Sequence, residues 1–149
     1  YSGKDVLNIP GAGAAGGIGG ALGGVLGASM VQGIQKVLDI SGLDSKLESC
    51  DIVITGEGRA DAQTLRGKVP VGVLEYVRAH TVPVHRPKVI LIAGQVSDRQ
   101  QILNAGFDAV LQITPEGMPL SEALDPVTAS ANITQSMQSY LQQRCSGEK

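Results

Sequence analysis

The sequence has 149 residues, 42% of them hydrophobic and 17% charged, which excludes a disordered tail. The net charge is −2, and the 3% of aromatic residues do not alternate with Lys or Arg, so we expect no nucleic-acid partner. Cys50 and Cys145 lack metal-type spacing and fit a reducing compartment, which predicts a cytoplasmic protein, and the sequence leaves a disulfide between them open as the alternative.

The first predicted element is a short strand over residues 6–9, which Pro10 stops. A glycine-rich turn over residues 11–17 follows, and then a helix from about Gly17 to Leu38. Residues 11–31 carry no charge and are long enough to cross a bilayer. However, most are Gly or Ala, which give little insertion energy, and the larger apolar residues share one helical face. We therefore predict a helix packed closely against a sheet and no membrane partner.

Three apolar runs rich in β-branched residues predict strands that are buried on both faces. They cover residues 51–55, 88–93 and 109–113. A loop and a short helix fill residues 39–49, ahead of the first run. A helix over residues 70–79 separates the first two runs.

Ser97 is the predicted N-cap of a helix that runs to Ala105, with Gly106 just beyond its end. Ser121 is the predicted cap of a short helix that ends before Pro126. A final helix then carries Ile133, Met137 and Leu141 on one face.

The alternation of strands and helices predicts an α/β fold, a parallel sheet with crossover helices in three layers. Open sheets of this kind usually have more strands than the three or four found here. The sequence therefore predicts an incomplete domain.

A G-x-G-x-x-G pattern, Gly11-Ala-Gly-Ala-Ala-Gly16, precedes the first helix, with Gly17 beside it. Backbone N–H groups at a helix start suit a phosphate or a carboxylate. A dinucleotide site is not supported, because a strong preceding strand is missing. The alternative is that small residues let this helix approach a neighbouring element. The sequence leaves both interpretations open.

Thr55-Gly56-Glu57-Gly58-Arg59 follows the first buried strand and predicts a glycine-rich turn at the carboxyl end of the sheet. Glu57 there can reach a substrate hydroxyl or a Mg²⁺ ion. The alternative is a solvated glutamate in a turn.

Asp61 either joins the same site or caps a short helix over residues 62–65. Arg59, Arg66 and Lys68 form a basic group that can hold phosphate oxygens. For Arg66 we favour a solvated loop residue.

Longer motifs identify a family. PGAGAAGGIGGAL at 10–22, DIVITGEGRADAQTLRGKVPVGV at 51–73 and VILIAG at 89–94 resemble the bacterial glycerate kinase family, type I, the glycerate 2-kinases. The resemblance runs in order from about Asp5 to Leu141. One departure is Ala60, where the family usually has Leu or Ile, and this is a packing change.

The resemblance implies an enzyme that uses ATP and Mg²⁺ to convert D-glycerate to a phosphoglycerate. The 2-phosphate is the expected product, and the residues themselves leave open which hydroxyl is phosphorylated. It implies catalytic roles for Glu57, Asp61 and Lys68, with Glu57 and Asp61 also as metal ligands. The implied cofactor-binding residues are Gly11, Gly13, Gly16, Gly17, Thr55, Gly56, Gly58 and Arg59.

Members of the family are longer and have two α/β domains, so residues 1–149 resemble their C-terminal part, a piece expected to be inactive alone. Expected partners are glycerate and either the N-terminal remainder or a second copy of the chain. Two alternatives stay open: a fragment that binds nucleotides or anions without catalysis, and a kinase for another small hydroxy acid.

Overall fold

The computed structural model describes residues 5–147, and the chain divides into two compact units with a boundary between Val37 and Leu38. Below, the N-terminal unit is residues 5–37 and the C-terminal unit is residues 38–147. Among the described residues, no helix combines the length and apolar character that a membrane crossing requires.

The N-terminal unit begins with turns, so the predicted strand over residues 6–9 is wrong. The Asp5 carboxylate accepts hydrogen bonds from the Leu7 amide at 2.9 Å and from Asn8 Nδ2 at 3.0 Å. The Ile9 amide donates to the Val6 carbonyl at 3.3 Å. These local bonds satisfy polar groups that a strand would have to pair with a neighbouring strand.

The long helix predicted over residues 17–38 is two helices, α1 (Ala14–Val25) and α2 (Gly33–Ile40). Gly27 has a φ of 68°, which turns the chain out of the helix, and the Ala28 amide closes back on the Leu22 carbonyl at 3.0 Å. A glycine in the left-handed region is a common way to end a helix.

Helix α1 buries its small residues and exposes its large ones, the reverse of the predicted packing. Its buried residues are Gly19, Gly20, Gly23 and Gly24, whereas Ile18, Leu22 and Val25 are exposed. A Cβ added to Gly19 would lie 2.3 Å from the Gly11 carbonyl oxygen. Glycine therefore allows a backbone-to-backbone contact within this unit that no other residue permits.

The C-terminal unit is the predicted α/β fold. In chain order it contains α3 (Leu43–Leu47), β1 (Ile52–Ala60), α4 (Val69–His80), a 3₁₀ turn (Pro83–His85), β2 (Lys88–Val96), α5 (Arg99–Asn104), β3 (Ala109–Gln112), α6 (Leu120–Ala123) and α7 (Pro126–Gly147). The three strands form a parallel sheet in the order β1-β2-β3, so the prediction of a parallel sheet with crossover helices is confirmed.

One face of this sheet holds much of the core. The register pairs Val53 with Val89, and it pairs Leu91 with Thr55 on one side and Val110 on the other. All five residues are at most 9% exposed. Helix α4 packs against β1 and β2, and α5 packs against β3. Because strand order follows chain order, right-handed crossovers place both helices on one face.

Two predicted caps are wrong. Asp98, with a φ of 52°, is the N-cap residue of α5 in place of Ser97. The N-cap residues of α5 and α6 make no side-chain hydrogen bond to the helix. Pro119 precedes α6, and Ser121 lies inside it. The prediction that Gly106 follows α5 is confirmed, with a φ of 111°. A sequence pattern locates the end of a helix only to within one or two residues.

Candidate functional site

The Gly56-Glu57-Gly58 segment continues β1, so the turn predicted there is wrong. Glu57 pairs with Ala93, and Ala60 pairs with Val96, because β2 also runs longer than predicted. A Cβ on Gly56 would lie 3.0 Å from the Ile92 side chain, so glycine here serves close strand packing. The turn at the end of β1 comes later, at residues 61–67.

Glu57 is held between a hydroxyl and a cation. Its side chain is only 15% exposed, and Oε2 lies 3.7 Å from Lys68 Nζ. Oε1 accepts a hydrogen bond from Thr64 Oγ1 at 2.5 Å. Strand β1 thus supplies the carboxylate of Glu57, and the segment after the turn supplies the ammonium group of Lys68. A carboxylate held in this way is oriented rather than freely solvated.

Asp61 opens the turn and is partnered on both oxygens. Oδ1 accepts a hydrogen bond from the Gln63 amide at 2.8 Å, and Oδ2 lies 3.8 Å from Arg59 Nε. Residues 62–67 form turns rather than the short helix considered from sequence. Asp61 therefore shapes this turn and also lies beside the exposed Arg59.

The turn after β1 is tied to the end of β2. The Ala62 amide donates to Asp98 Oδ2 at 3.3 Å, and the Ser97 amide donates to the Ala60 carbonyl at 2.8 Å. These bonds bring together the segments that leave the carboxyl ends of two neighbouring parallel strands, where ligands bind in open α/β sheets.

A cavity of about 310 Å³ opens at this same edge. Polar and charged side chains line it: Arg59, Gln95, Ser97, Gln112, Thr114 and Glu116. Gln112 shapes one wall, because its Oε1 accepts from the Val96 amide and its Nε2 donates to the Thr114 carbonyl. A polar cavity with one cation suits a small, oxygen-rich molecule.

Glu57 and Asp61 are the predicted Mg²⁺ ligands, and both are carboxylates, the ligand type that Mg²⁺ prefers. Glu57 and Asp61 each have one oxygen in a hydrogen bond within the protein and one oxygen that faces a cation beyond hydrogen-bond distance. Mg²⁺ is commonly bound by one or two carboxylates together with substrate phosphates and water. Within the part of the chain that is described, no three metal-binding side chains converge.

The remaining predicted residues of β1 differ in access. Thr55 is buried on the covered face of the sheet, and Gly56 packs against Ile92. By contrast, a Cβ on Gly58 would meet nothing within 4 Å, and Arg59 is exposed. Gly58 and Arg59 are therefore the members of this group that leave room for a ligand.

The glycine-rich turn lies in the N-terminal unit. Gly11, Gly16 and Gly17 have φ values of 87°, 69° and 96°, and Ala15 shares this region at 50°. Their conformation accounts for these three glycines. Gly13 has a φ of −76°, and an added Cβ would meet nothing within 4 Å. Neither backbone conformation nor packing accounts for glycine at position 13.

Sequence reasoning missed Thr64 and Asp98. Thr64 is fully buried, and its hydroxyl joins Glu57 to the turn. The spacing Asp61-x-x-Thr64 is typical of a side-chain-closed turn and was the available signal. Asp98 gave none, because its contact with Ala62 spans 36 residues.

A parallel sheet with an oriented carboxylate near the carboxyl end of one strand, and a lysine after that strand, is an arrangement found in α/β enzymes that act on small molecules. A sequence profile described as the glycerate kinase family matches residues 1–143. The chain belongs to the glycerate kinase family.

Individual relatives agree with this assignment. The chain is 47% identical over 120 residues to a glycerate kinase of Bacillus cereus and 42% identical over 120 residues to the glycerate 2-kinase of Escherichia coli K12. Each alignment covers 80% of this chain and 30% of the relative. A crystal structure from Salmonella typhimurium LT2, described as glycerate kinase 2, superimposes with a TM-score of 0.61 at 34% identity, covering 92% of this chain and 34% of that one. The chain thus spans about a third of the length of the proteins that it matches.

Proposed function

We propose that this chain is the C-terminal part of a longer cytoplasmic glycerate kinase, which transfers the γ-phosphate of ATP to the 2-hydroxyl of D-glycerate. The observation that supports this proposal most is the oriented Glu57–Lys68 pair at the carboxyl end of the sheet, in a chain of this family. The remainder of the enzyme, supplied by the N-terminal part or a second copy, would complete the site.

In this proposal the chain contributes positioning and charge, which are the main requirements of phosphoryl transfer. Glu57 orients the attacking hydroxyl of glycerate and accepts its proton. Lys68 and Arg59 offset charge on the phosphate oxygens. Alternatively, Glu57 and Asp61 would hold Mg²⁺, which when bound would neutralise phosphate charge.

Each of the two units carries predicted cofactor-binding residues. Backbone N–H groups of Gly11, Gly13, Gly16 and Gly17 would bind a nucleotide phosphate, or alternatively the glycerate carboxylate. In β1, Gly58 and Arg59 would face the cofactor, and buried Thr55 and close-packed Gly56 would keep the strand in place beside it.

The test is Glu57→Gln in the full-length enzyme, which keeps the size of the side chain and removes its charge. We expect kcat with glycerate and ATP to fall roughly 10²–10⁴-fold, the usual worth of a general base. The matched control is Glu75→Gln, the same change on an exposed position of α4, which should leave kcat within about twofold. Unchanged turnover in the Glu57 variant would remove Glu57 from the mechanism.

Two further measurements separate the alternatives. A panel of small hydroxy acids, assayed with ATP and Mg²⁺, distinguishes glycerate from another substrate of the same chemistry. If the protein only binds nucleotides, ATP with Mg²⁺ should raise the melting temperature without any turnover.

A further inference from the structure

Thr64 is a buried polar residue that contacts Glu57. The residue is 0% exposed, although it lies in a turn. Its Oγ1 accepts a hydrogen bond from the Asp61 amide at 3.0 Å and donates to Glu57 Oε1 at 2.5 Å. A buried hydroxyl that uses both capacities is held in one orientation.

The direction of these bonds is determined by chemistry. The Asp61 amide can only donate, so the Thr64 oxygen accepts there and its hydrogen is available for Glu57. This bond occupies Oε1 and leaves Oε2 as the oxygen that faces Lys68. One oxygen of Glu57 is thus committed to the protein, and the other is presented with a fixed direction.

The turn that carries Thr64 is itself anchored. The Thr64 amide donates to the Asp61 carbonyl at 2.9 Å, and Ala62 is bonded to Asp98 at the end of β2. Asp98 holds a φ of 52°, a conformation that is uncommon outside glycine and requires support from its surroundings. The turn at residues 61–64 is therefore held by hydrogen bonds, which fix the Thr64 hydroxyl relative to β1.

We propose that Thr64 is a positioning residue for phosphoryl transfer, which fixes the Glu57 carboxylate so that Oε2 meets the glycerate hydroxyl. This inference rests on the role proposed for Glu57 above. The competing explanation is that Thr64 only stabilises the turn through the Asp61 amide. The two differ in whether the effect of Thr64 on kcat depends on the charge of Glu57.

The experiment compares three variants of the full-length enzyme. Thr64→Val keeps the shape and removes the hydroxyl, and we expect kcat to fall about 10–100-fold, as for other groups that orient an active-site ligand. Thr64→Ser keeps the hydroxyl and should restore kcat to within about threefold of the parent. Where Thr64→Val fails to fold, Thr64→Cys replaces it, since a thiol is a weak donor of similar size. A smaller loss of kcat is then expected.

A double-mutant cycle decides the mechanism. In a Glu57→Gln background, Thr64→Val should lower kcat by less than about twofold more, because the oriented carboxylate is already lost. Equal losses in both backgrounds, or a Thr64→Val enzyme with the kcat of the parent, would overturn the positioning role alone. If Glu57→Gln itself leaves turnover unchanged, the proposed function of Glu57 fails, and the role of Thr64 fails with it.

Discussion

The N-terminal unit contains glycines that packing requires and glycines that it does not, so substitutions can distinguish a packing role from a ligand-binding role. Gly19 is required because its α-carbon hydrogen faces the Gly11 carbonyl oxygen, where a Cβ would come within 2.3 Å. Gly13 is surrounded by open space and has an ordinary φ of −76°. Substitution at these two positions should therefore have different consequences.

We predict that Gly19→Ala destabilises the protein by about 1–3 kcal/mol, because backbone must move to admit the methyl group. Gly13→Ala should cost about 1 kcal/mol or less, mostly as a weaker helix cap. If the turn binds phosphate, Gly13→Ala should nevertheless raise KM for ATP. Chemical denaturation and steady-state kinetics of the full-length enzyme measure the two effects. An unaltered KM for both ATP and glycerate would leave Gly13 without a ligand role.

Local pattern and the family resemblance together predicted Glu57, Asp61 and Lys68 as a group. The structure places Lys68 beside Glu57, and the shared catalytic role stays a prediction. Thr64 was missed because its importance depends on burial and on a partner seven residues away, and neither is a property of a lone threonine. Whether Gly13 or Gly58 meets a ligand also depends on space around the backbone, which the sequence does not encode directly.

At the scale of elements, the apolar runs predicted all three strands, but not their ends. Polar Glu57 and Arg59 suggested that β1 had stopped, yet pairing with β2 carries the strand on to Ala60. In the same way, one apolar period suggested a single helix over residues 17–38. The conformation of Gly27 divided it. Strand pairing is a tertiary effect and the left-handed conformation of Gly27 is a local one. Each overrides the secondary structure that hydrophobic periodicity predicts.

Helix α7 begins with a cap that the sequence prediction did not include. Asp125 precedes Pro126, and its Oδ2 accepts a hydrogen bond from the Thr128 amide at 2.9 Å. This backbone hydrogen bond, followed by one to the Thr128 side chain, lowers the pKa of Asp125 below its ordinary value of 3.8. Its stabilising contribution is thus present above the unfolded pKa and is lost as pH falls through the lower folded pKa.

We predict that Asp125→Ala lowers the melting temperature at pH 7 by about 2–4 °C, as expected for loss of one helix cap. Asp125→Asn keeps a capping oxygen and should change it less. At pH values well below 3.8 the parent loses this charge-dependent contribution, so the parent and Asp125→Asn should converge there. Thermal melts followed by circular dichroism between pH 7 and about pH 2, well below the ordinary pKa of 3.8 for the Asp125 carboxyl, check this. A constant difference in melting temperature between the parent and Asp125→Asn over the whole range would contradict the charge-dependent contribution.

At the scale of the whole molecule, the sheet offers more surface than the described residues cover. Within residues 5–147, β1 pairs with β2 on one side and with no strand on the other. Ile54 lies on the face opposite Val53 and Thr55 and is 48% exposed. A strand edge beside an exposed apolar side chain is a common site of pairing between chains.

We therefore predict that the 149-residue chain, expressed alone, self-associates at concentrations in the micromolar to millimolar range. Ile54→Lys should weaken this association, because a lysine next to a strand edge disfavours pairing. Val84→Lys, an equivalent change at an exposed position in the loop before β2, is the control. Sedimentation velocity distinguishes the species, and a monomeric parent across that range would refute the prediction.

The parallel register also has a consequence for biosynthesis. β1 holds Glu57, but its sole partner strand in the described part of the chain is β2, which the ribosome completes only at Val96. At ~5–20 residues per second, roughly 2–7 s separate the synthesis of Ala60 and Val96. During that interval the newly synthesised Glu57, Thr64 and Lys68 have no β-sheet that could hold them in place. A translational pause placed before residue 88 would prolong this vulnerable stage, whereas one placed after β3 would not.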